Sequence, residues 1–178
     1  MGFHTPRTQI INNLRVIPQK LKQIIMQKYY ALWVHLVWTT KNRKPLISKE
    51  LKLPLYRKIQ EICKDKEYHL DFINGVEDHV HLLISLNPKF AVSDVVKNIK
   101  GISQEWVIES NLIEDYFEWQ DGYAVISVSP SVVPKVRDYI RNQEVKHKKE
   151  AFNFEKELEI FVKNSSVISI DVDDEKSE

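Results

Sequence analysis

From His79 to Leu86 the chain alternates in a way that suits a β-strand, and the two faces of that strand differ chemically. Successive side chains on a strand point to opposite sides. Val80, Leu82, Ile84 and Leu86 therefore form an apolar stripe for a core, while His79, His81, Leu83 and Ser85 share the other face. Two imidazoles side by side can hold one divalent cation, and the neutral ring that prevails near pH 7 is the ligating form. A His-x-His on a strand is, by itself, more often surface decoration than a metal site. The pair acquires meaning only from partners elsewhere in the chain.

The remaining elements follow from periodicity and punctuation. Tyr30 to Thr39 reads as a strand rich in β-formers, and Lys41 to Pro45 as a loop. Ser48 is an N-cap for a helix carrying Leu51, Leu55, Ile59 and Ile62 at helical spacing, with Pro54 expected in the first turn. A second strand spans Tyr68 to Asn74, and Gly75 to Asp78 turns into the histidine strand. Ser93 opens a helix through Val96, Ile99, Ile102 or Ser103, and Trp106; Tyr123 to Ser129 is the last strand. Ser131 and Pro134 start one long helix from Val132 to about Lys149. Strand-helix-strand-strand-helix-strand is the split βαβ order of an α+β, ferredoxin-like sandwich. Its four-stranded antiparallel sheet carries two helices on one face, and a C-terminal helix follows. The histidines are then expected on the opposite, uncovered face, in the open, where that last helix can reach them.

A chain of 178 residues is most simply one domain with tails. The expected division is a basic extension over 1–28, a domain over 29–152 and an acidic tail over 153–178. The sequence has no run of ~20 apolar residues of the kind that spans a membrane, and no signal-peptide core. The single cysteine, Cys63, excludes an internal disulfide, suits a reducing cytoplasm and sits among helical apolar residues as an inert thiol. The formal net charge of +1 hides a segregation. Residues 1–28, 41–66 and 135–149 are predominantly basic, whereas 150–178 is acidic. Three basic segments could converge on a polyanion, or could be solvated faces.

Tyr139 and Gln143 lie four apart in the last helix and so stack on one face. A phenol can act as a covalent nucleophile, and an amide oxygen can join His79 and His81 around an ion. Two nitrogens and one oxygen with open positions suit Mn²⁺, or Mg²⁺ where the substrate adds oxygens. Tyr139 also falls in register with Val132, Val136 and Ile140, which fits a residue at the edge of a core. His35, inside the first strand, reads as structural or as a donor behind a ligand; His4, His69 and His147 show no partner.

The segment Asn74-Gly75-Val76-Glu77-Asp78-His79-Val80-His81-Leu82-Leu83-Ile84 resembles the HUH motif of the single-tyrosine transposases of bacterial insertion sequences, which include those associated with repetitive extragenic palindromes. Other matches run in the same order. Leu36 to Arg43 resembles that family's first strand and basic loop, and Ile99-Lys100-Gly101-Ile102-Ser103 with Trp106 its second helix. Trp119 to Tyr123 and Ser127 to Ser131 resemble its last strand and turn, and Tyr139-Ile140-Arg141-Asn142-Gln143-Glu144 its nucleophile helix. The likeness spans roughly residues 29 to 152. Val76-Glu77 stands where Met-Pro is common, and Ile126 where an aromatic is usual.

The resemblance implies a DNA transposase that cuts and rejoins hairpin-bearing single strands through a 5′-phosphotyrosine. In it Tyr139 is the nucleophile, His79, His81 and Gln143 hold Mg²⁺ or Mn²⁺, and no nucleotide cofactor is used. It also implies a homodimer in which sheets join edge to edge and the tyrosine helix acts in cis or in trans. Lys41, Arg43, Lys44 and Arg141 are the expected contacts to the DNA backbone. A hairpin-binding protein that has lost transposition, and a metal-dependent single-strand nuclease using water, are the competing expectations.

Overall fold

The computed structural model describes residues 30–149, and those from Leu32 onward belong to one compact unit. The extension expected over 1–28 and the tail expected over 153–178 lie outside the described residues. The strands are β1 (Trp33–Thr39), β2 (His69–Gly75), β3 (His79–Ser85) and β4 (Ala124–Val128). The helices are α1 (Lys49–Asp65), α2 (Val92–Ser110), α3 (Val133–Arg141) and α4 (Gln143–Lys149), and a 3₁₀ turn covers Lys41–Arg43. The sheet order is β2-β3-β1-β4 with every pairing antiparallel, the arrangement of a ferredoxin-like sandwich. Among the described residues no helix is long and apolar enough to cross a membrane.

One face of the sheet meets α1 and α2. Val34, Leu36 and Trp38 of β1 and Val80, Leu82 and Ile84 of β3 join Leu51, Leu55, Ile59 and Ile62 of α1 and Val95, Val96, Ile99 and Val107 of α2 in the main core. Each such aliphatic side chain removed from water contributes about 1.5–3 kcal/mol before the entropy of ordering is subtracted. Ser48 caps α1 as expected, its Oγ accepting the Leu51 N–H at 3.2 Å. Pro54 sits deeper than the first turn, inside the helix. The start of α2 is Val92 with Ala91 before it, and Ala91 makes no side-chain cap. Ser103 occupies a core position on α2 because it is satisfied there: its Oγ accepts the indole N–H of Trp119 at 3.0 Å and reaches the Lys100 carbonyl at 3.2 Å.

The second face is not open, contrary to the expectation. Leu83, Val128, Val133, Val136 and Ile140 form a second, smaller core, with Trp33, Phe72 and Tyr139 packed at its margin. The C-terminal segment therefore lies on the histidine face and buries it. That segment is also two helices rather than one: α3 ends at Asn142 (φ −94°, ψ 15°), whose side chain donates to the Asp138 carbonyl at 2.8 Å. An Asn that bonds the backbone four residues back competes with helix propagation at that point. Residues 139 and 143 consequently flank a break instead of stacking on one continuous helix.

Candidate active site

β3 places His79 and His81 two residues apart on the covered face, and both are fully buried. Across the sheet, His81 is in register with Val37 of β1 and Asn74 of β2, and His79 with Thr39. The two rings lie 5.0 Å apart at 73°. Each is held from behind by a different group. Asp78 Oδ1 lies 2.7 Å from His79 Nδ1, and its other oxygen accepts from Arg43 Nε (3.0 Å) and Nη2 (2.7 Å). Burial pushes the Asp78 carboxyl up, but the bonds from His79 and Arg43 outweigh it and hold the group below its ordinary range. Behind His81 stands His35 of β1, with Nε2 3.0 Å from His81 Nδ1. Desolvation lowers His35 to about 4, so it is neutral at physiological pH.

Helix α3 brings Tyr139 to the same place. Its half-buried ring lies 6.1 Å from that of His81 and 6.2 Å from that of His35, edge-on to both. Three contacts fix this helix on β2 besides its apolar stripe. Arg137 reaches Asp71 through Nε (2.8 Å) and Nη2 (2.9 Å), the fork geometry that favours guanidinium over ammonium. Asn74 Nδ2 donates to the last carbonyls of α3, and Arg141 lies 5.3 Å over the Phe72 ring.

Gln143 is fully buried at the head of α4, and its amide oxygen meets His147 Nε2 at 3.1 Å. His147 in turn lies 4.9 Å from the His79 ring, and burial followed by the nearby His79 lowers it to about 4. His147, for which the sequence offered no partner, is thus part of the site. The available signal was its spacing of four from Gln143, the same interval that joins Gln143 to Tyr139. Among the described residues no group of three His, Cys, Asp or Glu side chains is arranged to hold an ion.

The expected DNA contacts are already engaged within the chain. Lys41 pairs with Glu118 (3.1 Å) and Asp121 (3.5 Å), Arg43 with Asp78, and Arg141 with Asp138 (2.5 Å). Lys44 is exposed beside them. Next to the site a cleft of about 540 Å³ opens between the 3₁₀ turn, α1 and the β2–β3 hairpin, with Arg43, Lys49, Lys52, Asp78 and His147 on its walls.

Comparison with known proteins bears on the family and the fold. Residues 28–143 match the family model described as "Transposase IS200 like". The ISDra2 transposase TnpA of Deinococcus radiodurans is 30% identical over 119 residues, covering 64% of this chain and 85% of the relative. The transposase of insertion sequence IS200 from Salmonella typhimurium is 27% identical over 114 residues, 61% of this chain and 74% of the relative. A solved structure of a provisionally assigned transposase from Deinococcus radiodurans R1 superposes with a TM-score of 0.54 at 28% identity, over 66% of this chain and 98% of that one. A REP-associated tyrosine transposase bound to a REP hairpin shares the fold, with a TM-score of 0.51 at 18% identity over 68% of this chain and 72% of that one.

Proposed function

This chain belongs to the IS200-like transposase family, and from that premise we propose that it cuts and rejoins hairpin-bearing single-stranded DNA through a covalent bond to Tyr139. The observation that carries the proposal is the tyrosine ring 6.1 Å from His81, on a helix fixed over the buried histidine pair. Nothing in a plain binding module requires a phenol and two imidazoles to be brought together in this way. The hairpin held by the REP-associated relative of the same fold supports a hairpin substrate.

In the reaction the phenolic oxygen of Tyr139 attacks phosphorus, the P–O3′ bond breaks, and the departing 3′ oxygen ends with the proton. The products are a 5′-phosphotyrosine and a free 3′-hydroxyl. Because the ester retains the energy of the broken bond, a second 3′-hydroxyl can displace the tyrosine and rejoin strands without a nucleotide cofactor. His79, His81 and the Gln143 amide oxygen are the residues that would hold Mg²⁺ or Mn²⁺. The donor set fits: two buried imidazoles whose Nδ1 atoms face Asp78 and His35, and a buried amide linked to the His79 ring through His147. Such an ion would offset charge developing on the phosphate oxygens and would favour ionisation of a phenol whose ordinary pKa is about 10. Arg43 and Asp78 hold His79, and Asn74 and Arg137 hold the helix that carries the nucleophile. Lys44 on the exposed turn is the cation best placed to follow a phosphate backbone.

A homodimer joined edge to edge fits the outer side of β4, a strand that among the described residues pairs only with β1 and leaves Tyr123 and Val125 exposed beside it.

The test uses the full chain, Mn²⁺ and labelled hairpin-bearing single strands taken from the flanks of its own gene, read on a denaturing gel. A covalent adduct that disappears in Tyr139→Phe is the expected result. Cleavage that survives Tyr139→Phe makes the protein a hydrolase using water, and a native-gel shift without cleavage makes it a binder.

A further inference from the structure

The histidine pair is held asymmetrically: a carboxylate stands behind His79, whereas a second imidazole, fully buried on another strand, stands behind His81. The His35–His81 contact is a directed one. Its ring centroids are 5.1 Å apart at an interplanar angle of 22°, while the nearest nitrogens are 3.0 Å apart. The rings are inclined by only 22°, and the 3.0 Å N···N approach is hydrogen-bond distance, so the contact joins these two nitrogens. One nitrogen must then donate and the other accept, and the choice has a chemical consequence. If His35 donates, His81 keeps its proton on Nε2 and cannot offer that atom to a cation. If His35 accepts, His81 carries its proton on Nδ1 and Nε2 bears the lone pair.

We propose that His35 is the positioning residue for His81: its Nε2 accepts the Nδ1–H of His81, locking the ring in the tautomer whose Nε2 binds the cation. This deepens the reading above and rests on it for the identity of His81 as a ligand. His35 lies opposite Leu83 on one side and Ile126 on the other, with Tyr139 edge-on. It is too deeply buried to meet substrate. Its in-register neighbours are hydrocarbon, which gives it a fixed place and a fixed partner. The asymmetry also ranks the two ligands. A carboxylate acceptor makes a ring a stronger donor than a neutral imidazole acceptor does, so His79 is the stronger ligand and His81 the more sensitive to its support.

The test reads the tautomer directly, without metal. Long-range ¹H–¹⁵N spectra of ¹⁵N-histidine-labelled protein in EDTA distinguish Nδ1–H from Nε2–H rings, with assignment by His81→Gln. His81 is expected as the Nδ1–H form in the wild type. In His35→Leu that preference is lost, and Mn²⁺ affinity, followed by the EPR signal of free Mn²⁺, falls by about tenfold to a hundredfold. His35→Gln, whose amide oxygen can accept the same proton, should restore most of both. Hairpin affinity measured without metal stays within a few-fold of wild type in both variants. An Nε2–H ring at His81 in the wild type, or wild-type Mn²⁺ affinity in His35→Leu, overturns the inference. Should His35→Leu not fold, the wild-type spectrum and His35→Gln still decide it. If wild-type protein binds no Mn²⁺ at all, the metal reading fails separately, whatever the tautomer.

Discussion

The side-chain amide of Asn74 donates to the carbonyls of both Ile140 (2.9 Å) and Arg141 (3.1 Å), so the strand next to the histidines caps the end of the helix that carries Tyr139. The last carbonyls of a helix lack partners within it, and one amide from β2 satisfies two of them. It does so across 66 residues of sequence, which ties the nucleophile's helix to the sheet at the level of His81.

Asn74→Ala should therefore lower stability by about 1–3 kcal/mol, because it leaves those carbonyls without their cap. Adduct formation should fall further than the stability loss alone explains, since Tyr139 is no longer held over the histidines. Urea unfolding and the adduct gel, run at a temperature where the variant is folded, measure the two effects. Unchanged adduct yield would show that the apolar stripe of α3 suffices.

Gly75 is required by the close approach of the hairpin to its own partner strand. A Cβ built there would lie 2.2 Å from the carbonyl oxygen of His79 and 2.9 Å from the Cα of Val80. Those are backbone atoms and cannot swing aside. Gly75→Ala is expected to cost about 1–3 kcal/mol as overpacking and to displace His79. Loss of Mn²⁺ binding in a folded variant, seen by circular dichroism and metal titration, is the signature; a neutral variant would mean that the hairpin relaxes freely.

Stability should fall on acidification through a window set by His35. Its folded value is about 4 against an ordinary 6.5, so between those limits the unfolded chain takes up a proton that the folded chain refuses. The stabilisation is complete above 6.5 and is lost as the pH drops toward 4. His147 has the same sign over the same range, but it is half-exposed and adds less. Unfolding free energy in EDTA, measured from pH 7 to 4, should drop more steeply for wild type than for His35→Gln; parallel slopes would remove His35 from the account.

Cys63 is buried in α1, and desolvation pushes its thiol up to about 12. The thiolate is the reactive form, so at pH 8 a disulfide reagent should react with folded protein only through opening events. Reaction should accelerate with urea in step with unfolding. Native-state labelling at the rate of a free thiol would place Cys63 at the surface.

Periodicity alone determined much of this protein. The apolar stripe of β3, the Ser48 cap and the Leu51-Leu55-Ile59-Ile62 ridge are local patterns, and each element formed where its pattern lay. The element order was then enough for the sheet topology, since short connections leave few ways to pair four strands. The association of His79 and His81 was equally local, being a consequence of the two-residue repeat of a strand.

Tertiary structure decided what surrounds that pair. The periodicity of Val133, Val136 and Ile140 shows that α3 has an apolar face, yet not which surface receives it. That surface is the histidine face, so the imidazoles are buried where exposure was expected. His35 joined the site for the same reason: strand register sets it against His81 across 46 residues of sequence, and helix packing brings His147 to the His79 ring, whereas the Asp78–His79 and Gln143–His147 bonds are local in sequence. Single-residue identity says which groups can bond, and only the packed chain says which ones meet.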